Sequence, residues 1–165
     1  MPNTSEIVIN TSPLIAIVAA MGDFNVLQSL YTNVIVPFEV SQEILIGGTT
    51  GLSVTEFQAD FWLKKQSVPV NISPILLNSL DIGEASVIQL ALNKNISTVC
   101  IDEAVGRRIA RLSGLAVTGS IGILLRAKKE GYSLSIKTAI EKMLNHNIRL
   151  SQRVIDFALK EADEL

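Results

Sequence analysis

Short runs of β-branched and other apolar residues recur along this chain, separated by longer stretches in which apolar residues return every three or four positions. The runs are EIVIN (6–10), VIV (34–36), VPV (68–70), STVCI (97–101) and AVTG (116–119). Most are apolar on both faces, which is how strands read when helices cover both sides of a parallel sheet. Between them the spacing predicts helices over residues 12–20, 24–31, 37–46, 54–65, 84–94 and 103–113. This alternation predicts a three-layer α/β/α sandwich around a central parallel sheet. Three further amphipathic stretches, 121–130, 136–145 and 151–162, make the C-terminal part a mainly helical tail. Ser12 followed by Pro13 reads as a side-chain cap with proline at the first helical position, and Asp81-Ile82-Gly83-Glu84 is akin to a capping box. The least regular segment, GGTTGLS (47–53), reads as a loop between two helices and not as a domain boundary.

Composition narrows the class. The 165 residues suit one domain, and 48% hydrophobic against 18% charged residues requires a packed core and excludes disorder. The mean hydropathy of +0.38 raises the question of a membrane. The longest apolar stretch, residues 13–22, is about half of the roughly 20 residues a spanning helix needs, so no membrane segment is expected. The start of the chain has no basic segment ahead of its apolar run, so no secretory signal is visible and a cytoplasmic location is expected. The single cysteine, Cys100, lies in an apolar run and reads as a buried small hydrophobe.

Charge is uneven. Residues 1–100 hold three Lys/Arg against eight Asp/Glu, and residues 101–165 hold eleven against eight. Arg107, Arg108 and Arg111, with Arg126, Lys128 and Lys129, form the densest basic grouping, suited either to phosphate contacts or to a solvated helix face.

In open parallel sheets ligands bind beyond the carboxyl ends of the strands. Asn10 closes the first strand and Asp102 closes STVCI, so both belong to that edge. Glu84 begins the helix before STVCI, Glu43 lies on the helix begun by Pro37, and Ser12, Thr118 and Ser120 occupy comparable strand-to-helix turns. Each has a structural alternative. Asp102 could cap the next helix, Glu84 could complete the capping box, Glu43 shares a helix side with Glu39, and Asn10 could form a turn at a strand end.

The segments VINTSPLI (8–15), VIVPFEVSQEI (34–44), LDIGEASVIQLAL (80–92) and VCIDEAVGRRIARLSGLAVTGSIGILLRAKKEG (99–131) together resemble the PIN-domain superfamily of metal-dependent ribonucleases, in a branch of nucleic-acid-binding members. The resemblance covers about 6–131, with 132–165 as the helical tail of the same domain, 1–165. It implies an acidic pocket that binds Mg²⁺ or Mn²⁺ and hydrolyses RNA. Glu43, Glu84 and Asp102 match the family's acidic positions, as metal ligands and catalytic groups. Asn10 matches the first metal position, where competent nucleases usually carry aspartate; the lost charge implies weaker metal binding and slower catalysis. Ser12, Asp81, Glu103 and Ser120 are supporting candidates, and Arg107, Arg108 and Arg111 are candidate RNA contacts. The resemblance also implies the toxin of a toxin and antitoxin pair, with an antitoxin protein as partner; the apolar content and helical tail suit a self-associating surface, and a homodimer, the commonest symmetric assembly, is expected. Against it stand a weakened module that binds RNA or protein and an α/β oligomerisation domain with no nucleic-acid role. Neither GxxxxGK[ST] nor GxGxxG occurs, cysteine and histidine are too few for a typical zinc site, and His146 reads as a surface residue.

Overall fold

The computed structural model describes residues 6–47 and 53–165. The N-terminal residues 1–5 and positions 48–52 of the expected 47–53 loop lie outside the described residues.

Four of the five apolar runs form strands: β1 (Glu6–Ile9), β2 (Asn33–Val36), and, beyond the edge strand β3 (Lys64–Lys65), β4 (Thr98–Cys100) and β5 (Ala116–Thr118). They make one sheet of order β3-β2-β1-β4-β5, parallel at every pairing. The consecutive apolar residues are explained by burial on both faces: Ile7, Val8, Ile9, Val34, Val36, Val99 and Cys100 are all fully enclosed. Each large aliphatic side chain buried this way contributes roughly 1.5–3 kcal/mol.

The helices are α1 (Thr11–Met21), α2 (Asn25–Leu30), α3 (Phe38–Ile46), α4 (Val54–Ala59), α5 (Pro74–Ser79), α6 (Ile82–Lys94), α7 (Ala104–Leu112), α8 (Ser120–Lys129), α9 (Ile136–Asn145) and α10 (Gln152–Glu161). By their contacts α1, α2, α8, α9 and α10 form one layer, and α5, α6 and α7 the other, while α3 touches both α1 and α6. Helices thus cover both faces of the sheet, the α/β/α sandwich that the alternation predicts.

The third strand is where the pattern and the structure part. VPV (68–70) is not a strand, and the predicted 54–65 helix stops at Ala59. The Asp60 carboxylate accepts the N–H groups of Trp62 and Leu63, both at 2.9 Å, and that local turn ends the helix. Lys64 and Lys65 then pair with Ile35 and Val36. Pro69 has no N–H for a ladder, and the Val70 N–H is taken by Glu39 Oε2 at 2.8 Å. Lysines on a two-residue edge strand also oppose pairing with another chain. Among the described residues no helix is long and apolar enough to cross a membrane.

The tail is part of the core. Helix α9 buries Ile136, Ala139, Ile140 and Met143, spaced along one face, and packs on α1, which is apolar almost all round. Glu164, near the chain end, returns to close this layer: its carboxylate accepts from the backbone N–H groups of Ile136 and Lys137 at the start of α9, from Ser135 Oγ and from Lys128 Nζ. Burial alone would push this carboxyl up, but Lys128, the two N–H groups and Ser135 outweigh it and hold it down at about 2.

A carboxyl whose folded pKa is depressed stabilises above its unfolded value, and that contribution disappears as pH falls through the folded value. The stability gap between wild type and Glu164→Gln is therefore expected to be full at neutral pH and to shrink as pH falls from 4.5 towards about 2, read by thermal melts across that range. A gap that stays constant with pH would show that the Glu164 charge does not close the tail.

Candidate functional site

The chain moves outward from β1 to β2 and β3, then crosses the sheet and returns on the other side of β1 as β4. At such a reversal the helices leaving the two neighbouring strands diverge and open a crevice at the carboxyl edge. Asn10 and Asp102 stand at this crevice, and the Asn10 N–H donates to the Cys100 carbonyl at 3.0 Å, tying the two strand ends together.

Asn10, only 4% exposed, occupies the position before α1 in extended conformation, but its side chain does not cap the helix. Its Oδ1 is buried with no hydrogen-bond partner. The helix begins at Thr11, so Ser12 lies exposed inside the first turn and is not the cap that its pairing with Pro13 suggests. Proline is tolerated there because first-turn N–H groups lack helical acceptors anyway.

Thr11 Oγ1 donates to Glu43 Oε1 at 2.5 Å, fixing α3 to the start of α1. Both Glu43 Oε1 and Asn10 Oδ1 crowd Gly83: a Cβ there would lie 2.8 Å from the first and 3.3 Å from the second. Asp81 caps α6, its Oδ1 accepting the Glu84 N–H at 2.9 Å, so half of the capping box is a real cap. The other half has a further feature. Glu84 is 4% exposed, and its Oε2 has no hydrogen-bond partner. Burial first, then the nearby Asp81, Glu103 and Glu43 carboxylates, push its carboxyl up to about 7, with the Asp81 backbone N–H pulling the other way. Gly106 on α7 makes room for this group, since a Cβ there would meet Glu84 Oε2 at 2.8 Å and Ile101 Cγ2 at 2.9 Å.

Asp102 does not cap α7, whose preceding residue is Glu103 with no side-chain cap of its own. Instead it reaches the next crossover, where Oδ1 accepts the Ser120 N–H at 2.7 Å and Oδ2 the Ser120 hydroxyl at 2.9 Å. The carboxylate thus sits at the positive N-terminal end of α8. Gly119 allows the approach, as its Cβ would fall 2.7 Å from Asp102 Oδ1 and 2.9 Å from an Arg107 guanidinium nitrogen. Arg107 donates to the Ile101 carbonyl at 2.9 Å and lines a cavity with Asp102, whereas Arg108 and Arg111 lie exposed on α7 and line no part of it. His146 is exposed, and Cys100 is fully enclosed, with burial and then Asp102 pushing its thiol well up.

A sequence model of one family, described as the PIN domain, matches residues 6–164. The chain belongs to the PIN-domain family. No curated protein matches it. PIN domains generally use divalent metal ions. Among the described residues no three Asp, Glu, His or Cys side chains converge closely enough to enclose an ion unaided. The donor chemistry nevertheless fits a hard, partly hydrated cation: every candidate is an oxygen. Asn10 Oδ1 and Glu84 Oε2 are buried without partners, a condition that costs about 1–3 kcal/mol per group and that coordination would relieve. In this PIN domain the edge therefore gathers Asn10, Glu43, Asp81 and Glu84 around Gly83 and Gly106, with Asp102 and Ser120 on the β4 side.

Thr11 and the three glycines escaped the sequence reading, although each adjoins or approaches a candidate: Thr11 follows Asn10, Gly83 precedes Glu84 and Gly119 precedes Ser120. Gly106→Ala places a methyl against a buried carboxylate and a core isoleucine, and is expected to cost about 1–3 kcal/mol in urea denaturation. Gly83→Ala meets one carboxylate oxygen, Glu43 Oε1, and no core side chain, and gains about 0.5–1 kcal/mol of helix propensity, so it should cost less than Gly106→Ala. Equal stability of the two variants would contradict the packing around Glu84.

Glu84 gives an opposite pH dependence to Glu164. Its folded pKa lies above its unfolded value, so the metal-free protein has this contribution in full below 4.5 and loses it as pH rises through about 7. Glu84→Gln stays neutral and should therefore be no more stable than wild type at about pH 4, yet more stable at about pH 8 in EDTA. Parallel stability curves would show that Glu84 is not desolvated.

Proposed function

We propose that this PIN domain is a cytoplasmic, metal-dependent ribonuclease that uses Mg²⁺ or Mn²⁺ to hydrolyse RNA phosphodiester bonds. The observation that carries the reading is the pair of buried, unpartnered oxygens, Asn10 Oδ1 and Glu84 Oε2, at the crevice where the sheet reverses. Asn10, Glu43, Glu84 and Asp102 would hold the metal, which when bound supplies an activated water and neutralises charge growing on the phosphate.

The protein's own groups have separable tasks. Thr11 holds Glu43 and Ser120 holds Asp102, so two of the carboxylates are oriented before any ligand arrives. Such preorganisation spares the reaction the cost of fixing them. Glu84, with its carboxyl raised to about 7, is half protonated near neutrality and would give up that proton to act as a charged ligand. Arg107 stands at the same edge, anchored through Ile101, where a guanidinium would face a phosphate. Within this reading the chain is the toxin of a toxin and antitoxin pair and forms a homodimer, the commonest symmetric assembly.

Asn10 favours a second reading, a weakened module that binds RNA or a protein partner. Asparagine offers a carbonyl oxygen but no charge at a site that works by charge. One experiment separates the two: cleavage of a mixed-sequence RNA in EDTA, Mg²⁺ or Mn²⁺ by wild type, Asp102→Asn and Asn10→Asp. The ribonuclease reading expects metal-dependent cutting that Asp102→Asn reduces by roughly a hundredfold or more and Asn10→Asp increases. Cutting that survives in EDTA and in Asp102→Asn would sink it. No cutting by any of the three proteins, with RNA still bound, would favour the module.

A further inference from the structure

A cavity of about 520 Å³ opens beside Asp102, within the size range of about 300–1,000 Å³ typical of small-ligand sites. One wall is the carboxyl edge of the sheet, with Asp102, Arg107 and Ser120; the other is the tail, from the connection that follows α9 into α10, with Arg149, Val154 and Phe157. The tail therefore borders the acidic edge from the side of β5 and α8.

Three properties of that wall point to one kind of ligand. Phe157 is 56% exposed, while α10 turns Ala158, with Ile155 and Leu159 partly buried, towards the core. Val154 stands three residues earlier on the same helix face, so the two side chains give the cavity an apolar strip. Arg149 is exposed and, among the described residues, makes no hydrogen bond or ion pair, whereas Arg107 across the cavity is anchored to the Ile101 carbonyl. An exposed aromatic ring with a free guanidinium, beside a second guanidinium at an acidic edge, matches an unstacked base and its phosphate. Stacking serves any base, and the guanidinium supplies the charge that carboxylates near a phosphate would otherwise oppose. A duplex keeps its bases stacked and could not fill the strip this way.

We propose that this cleft is a nucleotide subsite for single-stranded RNA, in which a base lies on Phe157, its phosphate meets Arg149, and the strand continues past Arg107 to Asp102. The subsite rests on the ribonuclease reading and adds two tail residues to it.

The test measures binding of a fluorescent single-stranded oligoribonucleotide in EDTA across a salt series, with cleavage in Mn²⁺ recorded in parallel. Phe157→Ala should weaken binding by about five- to a hundredfold with an unchanged salt slope, and Phe157→Trp should restore it. Arg149→Ala should weaken binding and reduce the slope of log K against log salt by about 0.7, the value for one single-strand phosphate contact. Both side chains are exposed, and thermal melts are expected to match wild type. If wild type binds and cleaves RNA but both alanine variants do so equally well, the subsite is wrong and the ribonuclease reading stands. Wild type that neither binds nor cleaves removes the ribonuclease reading, and the subsite falls with it. Unchanged RNA binding in Phe157→Ala with altered sedimentation would assign the face to a protein contact and overturn the proposal.

Discussion

The parallel pairing of β1 with β4 is the constraint on which the remainder of the structure depends. Its register sets Ile7, Val8 and Ile9 against Thr98, Val99 and Cys100, and one further hydrogen bond carries the pairing to Asn10. A slip of one residue would turn the side chains of an entire strand to the opposite face and misplace both strand ends. Because the strands run parallel, the chain between them must cross the sheet. That crossover includes α3 and α6, and so delivers Glu43 and Glu84 to the edge where Asn10 and Asp102 already stand.

Collecting acids at one edge has an electrostatic cost, and the local structure distributes it unequally. Asp102 has both oxygens satisfied by Ser120 at the start of α8. Glu43 keeps a link to Thr11, and Asp81 is a helix cap. Glu84 has the least favourable position, enclosed and surrounded by other carboxylates, and responds by retaining its proton to about neutrality. Asn10, whose Oδ1 crowds Gly83 together with Glu43 Oε1, adds no further charge to this edge.

The tail links these features to the fold. Helix α9 completes the layer over α1, Glu164 fastens the end of the chain to the start of α9, and the same course brings residues 148–157 beside Asp102. A segment that closes the core also shapes the approach to the edge, so changes to its packing would reach both.

Much of this is legible in the chain alone. The consecutive apolar runs give a two-sided parallel sheet, because only a strand covered on both faces can be apolar at successive positions. Four motifs in order point to the family, and the spacing of Ile136, Ala139, Ile140 and Met143 predicts the amphipathic helix α9. What local pattern could not supply depends on residues far apart in sequence. VPV reads as a strand by composition, yet Glu39 takes its Val70 N–H and the short pair Lys64–Lys65 takes the sheet edge. Asp102 looks like the cap of its own helix, yet it satisfies Ser120, eighteen residues away. Gly83, Gly106 and Gly119 are silent in sequence, because the need for a missing Cβ exists only once a distant carboxylate packs against it. Periodicity, propensity and motif order are properties of neighbouring residues and can be read along the chain; burial, unpaired oxygens and the facing of Arg149 and Phe157 towards Asp102 are properties of packing, and only the tertiary structure decides them.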